Sequence, residues 1–348
     1  MSNPGQKNAS IFSTTPGLLA ACLGACFLWG SAFPCIKIGY GLFGIDASDV
    51  ASIIAFGGVR FLISGTMVTL AMSVARRRPY VPARTDWTCA AKLSVFQTSL
   101  QYLLFYVGLS RCAGVTSSVI EASNAFFIVL LAVYAFRTER MTARKAVGCV
   151  VGFAGVLLVN LGGSAAGGMS FSLGGEGLVF LSTISAAVSS NLSKRYSREH
   201  DPVLISGWQF VIGGATLLVL GLAMGGRVAP ADAANPLPAL ALLAYMGFIS
   251  AAAYSLWSLA LAANPVSRVA VFGFMNPVFG AVLSALLLGE TSVVSPVLAV
   301  IALALVSAGI IVVNRGKQYE KGTLPFSHPA ELTVLKVLCK RQALLAWR

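Results

Sequence analysis

Residues 114–139, GVTSSVIEASNAFFIVLLAVYAFRTE, and residues 265–290, PVSRVAVFGFMNPVFGAVLSALLLGE, run in parallel at an offset of 151. Gly114-Val115-Thr116 answers to Pro265-Val266-Ser267, Ala125-Phe126-Phe127 to Asn276-Pro277-Val278, and Thr138-Glu139 to Gly289-Glu290. Beyond this pair, after a shift of three residues, AGVLLVN at 154–160 matches AGIIVVN at 308–314. Before it, GVRF at 58–61 echoes GWQF at 207–210. Apolar sequence throws up chance matches, but four in the same order mark an internal repeat.

What repeats is a set of membrane spans. AVILMFWYC make up 57% of the 348 residues and DEKR only 11%, with a mean hydropathy of +0.80. A soluble domain carries about 25% charged residues, so these few cannot clothe a water-facing globule. Crossing a bilayer core takes about 20 mostly apolar residues. Runs of that kind fall at 17–39, 50–75, 88–109, 114–136, 145–162, 175–196, 203–224, 237–261, 266–288 and 295–314. The first run could mimic a signal peptide, but its length and lack of a cleavage site mark an uncleaved helix. The breaks carry turn chemistry, such as Arg76-Arg77-Arg78-Pro79, Gly162-Gly163, Gly225-Gly226 and Asn264-Pro265.

The net charge of +13 is a topology signal. With the N-terminus inside, the cytoplasmic segments hold Lys7, Arg76–Arg78, Arg84, Lys92, Arg137, Arg140, Arg144, Lys145, Lys194, Arg195, Arg198, Arg268 and every base of the tail. The outer loops hold only Arg111 and Arg227. No nucleic-acid motif or basic face accompanies the charge, so nucleic acid is not an expected partner. The seven cysteines lack C-x-x-C spacing and read as small core residues.

The expected architecture is an all-α membrane protein of ten transmembrane helices. A short cytoplasmic segment (1–16) precedes two five-helix repeats (17–162 and 175–314), and a basic cytoplasmic tail (315–348) follows. Five helices per repeat make the second copy enter from the opposite side, so the halves are inverted. Inverted repeats are a recurrent architecture of secondary transporters, whose cargo site lies near the midplane between the halves.

Trp29-Gly30-Ser31-Ala32-Phe33-Pro34, Arg60-Phe61, and the run Asn276-Pro277-Val278-Phe279-Gly280 through Leu288-Gly289-Glu290 resemble the EamA type of the drug/metabolite transporter superfamily. The resemblance covers about residues 17–315. It implies two EamA repeats, a bacterial inner-membrane location, a cavity lined mainly by spans 1, 3, 4, 6, 8 and 9, and outward transport of amino acids, other metabolites or drugs. One departure stands out. Phe126 occupies the first-repeat position of Pro277, which predicts unequal bending of spans 4 and 9.

Ionisable groups within spans are costly and usually face a cavity or a partner. Arg60 falls near mid-membrane, Glu121 about 10 Å from the outer face, and Lys37 near the outer end of span 1. As a network they would bind a zwitterion or exchange a proton. The alternatives are a permanent partner for Arg60 and snorkelling for Lys37. Trp29, Gln97, Gln101, Asn124, Asn191, Tyr254, Trp257 and Asn276 complete the candidate substrate-binding set. Each amide has an interhelical hydrogen bond as its alternative. Pro34 and Pro277 free backbone carbonyls within their spans and are the expected helix breaks or gating points. Gly148, Gly152 and Gly155 read as close helix contacts. Glu139 and Glu290, at span ends, read as loop carboxylates paired with a nearby base or backbone. The stretch 331–347 is either an interfacial helix on anionic lipid or disordered.

Secondary transport is therefore the expected function, with efflux of amino acids or related metabolites leading. A drug or carboxylate/amine permease and a non-transporting scaffold are the alternatives. An enzyme is not expected, since no nucleophile constellation, metal cluster or phosphate loop appears and His200 and His328 lie outside the spans. No cofactor or metal is expected. The expected partners are a small-molecule substrate, the lipid bilayer and a coupling proton, and a homodimer is left open.

Overall fold

The computed structural model describes residues 11–109, 111, 120–161, 172–288 and 296–315. These residues form ten long helical stretches and no strand. α1 is Thr15–Phe43 and α2 is Val50–Arg76. α3 joins Arg84–Ser94, a π-helical turn at Val95–Ser99, and Leu100–Leu109. α4 covers Ile120–Ala135, α5 Ala143–Leu161, α6 Glu176–Tyr196 and α7 Pro202–Ala223. α8 is Leu237–Ala263. α9 joins Val266–Ala270, a 3₁₀ turn at Val271–Phe274, and Met275–Leu288; α10 is Pro296–Asn314. Residues 114–119 of the expected fourth span, Glu290 and the tail after Arg315 lie outside the described residues.

α1, α2, α7, α8 and Val266–Ser284 of α9 are each long and apolar enough to cross a bilayer. Their outer faces carry bare apolar side chains, among them Leu70, Val74 and Val219, each at least 60% exposed. Water would penalise such a surface and hydrocarbon does not.

The ends follow from local chemistry. Thr14 caps α1 by accepting the Gly17 N–H, and Gly44, at φ 60°, ends it in the left-handed conformation. Asp201 caps α7 and pairs with Arg76 at 2.6 Å. Asp49 caps α2, and hydrogen bonds from the Ser52 hydroxyl and backbone N–H hold its carboxyl below the usual range. Asp49→Ala is expected to cost about 1 kcal/mol of stability at neutral pH. Because the folded-state value is depressed, this contribution is complete above the unfolded-state pKa of about 4. It fades as pH falls through the lower folded value. Melting curves of wild type and variant should therefore converge in acid.

Small residues set how the helices pair. On α2, Gly58 and Gly65 recur at seven residues, as do Gly207, Gly214 and Gly221 on α7. A Cβ on Gly58 would lie 2.4 Å from the Leu218 nitrogen, and one on Gly221 2.4 Å from the Ala55 nitrogen. The backbones thus touch, and the matched order shows that the two helices run antiparallel. α5 and α10 pair the same way, Gly148 against Val313 and Gly155 against Ala302. The expected role of Gly148, Gly152 and Gly155 is seen at each position. α1 packs on α8 and α9, and α6 on the corresponding α3 and α4. The contacts of α1 with the second repeat are thus matched by those of its counterpart α6 with the first. Phe61 and its repeat partner Phe210 stack at 5.3 Å with planes 4° apart, where the halves meet.

The lysine- and arginine-rich helix ends converge. There Arg76 meets Asp201, Asp86 meets His200, Lys194 meets the Asn264 carbonyl, and Arg268 meets Asn314. At the opposite end Ala231 N–H donates to the Leu42 carbonyl and Arg227 N–H to the Ser52 hydroxyl.

Of the two expected proline breaks, the one at Pro277 is seen and the one at Pro34 is not. α1 runs unbroken through Pro34, beside the point where Gly30 and Gly280 let α1 and α9 touch. Pro277 lacks the N–H that would reach Gly273, and the chain tightens into the 3₁₀ turn just before it. Unequal bending of spans 4 and 9 was expected because Phe126 replaces proline. α4 is nonetheless interrupted, at Ser123, whose hydroxyl donates to the Ile120 carbonyl. Ser123 stands 151 residues before Phe274, the end of the α9 turn. The two repeats therefore break at equivalent places by different chemistry, since a serine hydroxyl can bend a helix that lacks proline.

A cavity between the repeats

Six helices turn one stripe each toward a common space. α1 contributes Trp29, Ala32, Phe33 and Ile36; α4 Glu121, Asn124, Ala125 and Ile128; α6 Ala186, Ser189, Ser190 and Ser193. These positions recur at i, i+3, i+4 and i+7, the spacing of one helical face. α3 adds Gln97, Gln101, Tyr102 and Phe105, α8 Tyr254, Trp257, Ser258 and Leu261, and α9 Ala270, Gly273, Asn276 and Pro277. The cavity measures about 180 Å³. α1, α3 and α4 correspond to α6, α8 and α9 in the repeat, so each half builds one wall.

α2 adds a single side chain, Arg60, and so breaks the symmetry. Its counterpart in the second repeat is Gln209, fully buried and accepting a 2.7 Å hydrogen bond from Thr98. Arg60 is 5% exposed, with its guanidinium carbon 4.6 Å from the Phe61 ring centre and 5.7 Å from that of Tyr102. Its Nε finds no hydrogen-bond partner. Nor do Trp29 Nε1, Asn124 Oδ1 and Asn276 Oδ1, all on residues of the same wall. Among the described residues neither Arg60 nor Glu121 forms an ion pair. A buried cation and a carboxyl-bearing residue thus share one cavity without neutralising each other.

Aromatic rings join the polar groups. Trp29 packs edge-on against Tyr254 and Trp257 at 4.9 and 5.2 Å. The Tyr102 and Tyr254 hydroxyls meet at 3.2 Å across the boundary between repeats. The wall can therefore hold an apolar group against rings while offering a guanidinium and a carboxyl group to the rest of a ligand.

Of the residues expected from sequence, Trp29, Arg60, Gln97, Gln101, Glu121, Asn124, Tyr254, Trp257 and Asn276 line the cavity. Two do not. Lys37 is exposed, because one residue beyond Ile36 rotates the side chain by about 100° off the lining stripe. Asn191 donates to the Ile128 and Ala187 carbonyls and ties α6 to α4. Tyr102, Ser189, Ser190 and Ser193 were missed. The serines share one helical face, and Tyr102 stands 152 residues before Tyr254, close to the repeat offset.

Sequence and fold comparisons agree with this architecture. The EamA-like transporter family matches the chain twice, over residues 15–161 and 173–315. A chloroplastic WAT1-related protein of Arabidopsis thaliana is 24% identical over 269 residues, 76% of this chain and 62% of its own length. The chain thus spans about three fifths of that relative. A Pseudomonas aeruginosa protein is 30% identical over 239 residues, 68% of this chain and 76% of its own. The "probable terminal-alkyne amino-acid exporter" of Streptantibioticus cattleyicolor is 27% identical over 303 residues, 85% of this chain and 93% of its own. A solved crystal structure superposes with a TM-score of 0.68 at 18% identity, covering 86% of this chain and 97% of that one, a likeness of fold alone. Matched in two stretches that contain every cavity-lining residue, the chain belongs to the EamA-like transporter family.

Proposed function

We propose that this protein is a secondary active transporter that exports amino acids or closely related zwitterions across a bacterial inner membrane by alternating access. In this reading the ten helices all cross the bilayer, both termini are cytoplasmic, and the basic end faces the cytoplasm.

The observation that carries the reading is the presence of Arg60 and Glu121 in one cavity with neither ion-paired among the described residues. An unmatched buried charge is expensive, and it persists where a ligand supplies the opposite one. Arg60 would take the cargo's carboxylate, since a guanidinium offers paired donors to its two oxygens. Glu121 and the amide oxygens of Asn124 and Asn276 would accept N–H donors. The rings of Trp29, Tyr254 and Trp257 would cover the apolar remainder. That a relative sharing most of its length carries an amino-acid exporter's name supports the class of cargo.

Glu121 is also a protonatable group within a span, the means by which many transporters take up a proton. The test is efflux from loaded proteoliposomes of labelled amino acids, carboxylates and amines, with and without a pH gradient. Wild type is expected to move zwitterions in preference to the other two classes, faster with the gradient. Glu121→Gln is expected to move the same cargo at one rate under both conditions. Preference for simple amines or carboxylates would overturn the zwitterion assignment. A Glu121→Gln protein that still responds to the gradient would overturn the coupling role.

A further inference from the structure

Glu139 lies in the stretch between α4 and α5, yet its carboxylate is buried in the second repeat. One oxygen accepts the backbone N–H of Ser267 at 3.1 Å, and the other accepts the Ser267 hydroxyl. Lys145, at the start of α5, donates to the same carboxylate at 2.9 Å and to the Arg140 carbonyl at 2.8 Å. The Glu139 and Lys145 side chains are only 4% and 11% exposed. The carboxylate thus sits at the N-terminus of α9, where backbone N–H groups favour an anion, and fastens the first repeat to the second.

The fastening lies directly beneath the cavity. Ser193, Leu261 and Ala270 are lining residues of α6, α8 and α9 toward the basic end. Lys194 follows Ser193, and its ammonium donates to the Ala262 and Asn264 carbonyls at 3.2 and 2.8 Å. Asn264 follows Leu261 by three residues and donates to the Phe12 carbonyl ahead of α1. Ser267 precedes Ala270 by three. Within one helical turn of the cavity floor, α4–α5, α6, α8, α9 and the lead-in to α1 are therefore bonded together.

We propose that Glu139 is the latch of the transporter's gate at the basic end, and that its bonds to Ser267 must break for cargo to enter from that side. This rests on the alternating-access reading above. A gate needs two states of similar free energy, and a buried ion pair provides that balance. Desolvating both charges offsets much of the attraction between Glu139 and Lys145 while the gate is shut. Once the end opens, water solvates each charge separately, so the open state carries little penalty. A latch of apolar side chains would lack this compensation.

The test uses the full chain in inside-out membrane vesicles, with Ser193→Cys as a near-isosteric reporter in the cavity floor. A membrane-impermeant maleimide is applied, and modification at position 193 is followed by peptide mass. Adding Glu139→Ala is expected to raise the cytoplasmic-side labelling rate on the order of tenfold or more, since charge-assisted hydrogen bonds that hold the gate shut are removed. In right-side-out vesicles labelling should not rise. Glu139→Gln, which keeps an acceptor for Ser267 but loses the charge, should fall between the two and serves if the alanine variant does not fold. Unchanged cytoplasmic labelling in a folded variant would overturn the latch, as would an equal rise from both sides, which reports a loosened fold. Labelling needs no cargo, so the latch can stand or fall apart from the zwitterion assignment.

Discussion

Arg60→Met is expected to abolish zwitterion binding while leaving the empty protein as stable as wild type, or more so. The two halves of this prediction have one cause. The guanidinium is 5% exposed, rests against Phe61 and Tyr102, and meets no carboxylate among the described residues. Its burial is a cost that only two ring contacts offset, and methionine fills similar volume with no charge to desolvate. When cargo binds, removing the guanidinium leaves a buried carboxylate unmatched, a loss of about 2–5 kcal/mol, or roughly thirty- to several-thousand-fold in affinity. Arg60→Lys should recover only part of this, because an ammonium cannot meet both oxygens in a planar fork. Thermal melting with and without cargo separates the effects. Wild type should be stabilised by ligand and Arg60→Met should not, at equal or higher melting temperature when empty. A variant that melts lower when empty yet keeps its ligand shift would mean that Arg60 serves the ring stack instead of the cargo.

Gly214→Val is expected to be the most damaging packing change. A Cβ there would lie 2.6 Å from the Leu62 nitrogen and 2.9 Å from the Gly58 carbonyl oxygen, both backbone atoms that no rotamer can move aside. Overpacking in a close-packed interior usually costs about 1–3 kcal/mol and more where the backbone must shift. In a bilayer the loss is sharper in kind, because close backbone approach is itself a main source of helix association. The strain would also part α2 from α7, and with them Phe61 from Phe210, so Arg60 would leave its place in the wall. Monodisperse yield and transport should fall together. Gly41→Ala is the matched control: nothing lies within 4 Å of a Cβ there, and alanine favours a helix. A Gly214→Val protein that purifies and transports like Gly41→Ala would remove close α2–α7 packing as the organising contact of the two halves.

How far the site could be read in advance depended on what each residue answers to. Glu121 and Asn124, three apart, and Gln97 and Gln101, four apart, face the cavity because helical spacing puts them on one face, and spacing is visible in a sequence. Lys37 shows the limit. It is as polar as the other candidates, but a rotation of about 100° per residue carries it off the stripe. Asn191 shows a second limit, since an amide at a helix contact and one at a cavity look alike until the neighbouring carbonyls of Ile128 and Ala187 are placed. Ser123 shows a third. A proline announces its break, whereas a serine hydroxyl bends α4 only when it folds back onto Ile120.

The sequence by itself determined the helical membrane class, the order of the apolar runs, the basic end and the inverted repeat. Each of these depends on transfer of side chains to lipid or on spacing along one chain, both local properties. Only the tertiary structure decided that Arg60 alone reaches the cavity from α2, that Tyr102 meets Tyr254, and that Glu139 bonds to Ser267 at the start of α9. Those facts depend on which backbones approach closest, as Gly58 and Gly214 do, and on which groups across a contact are left to satisfy one another. Residues from distant parts of the chain enter that competition, and no single stretch of sequence contains its outcome.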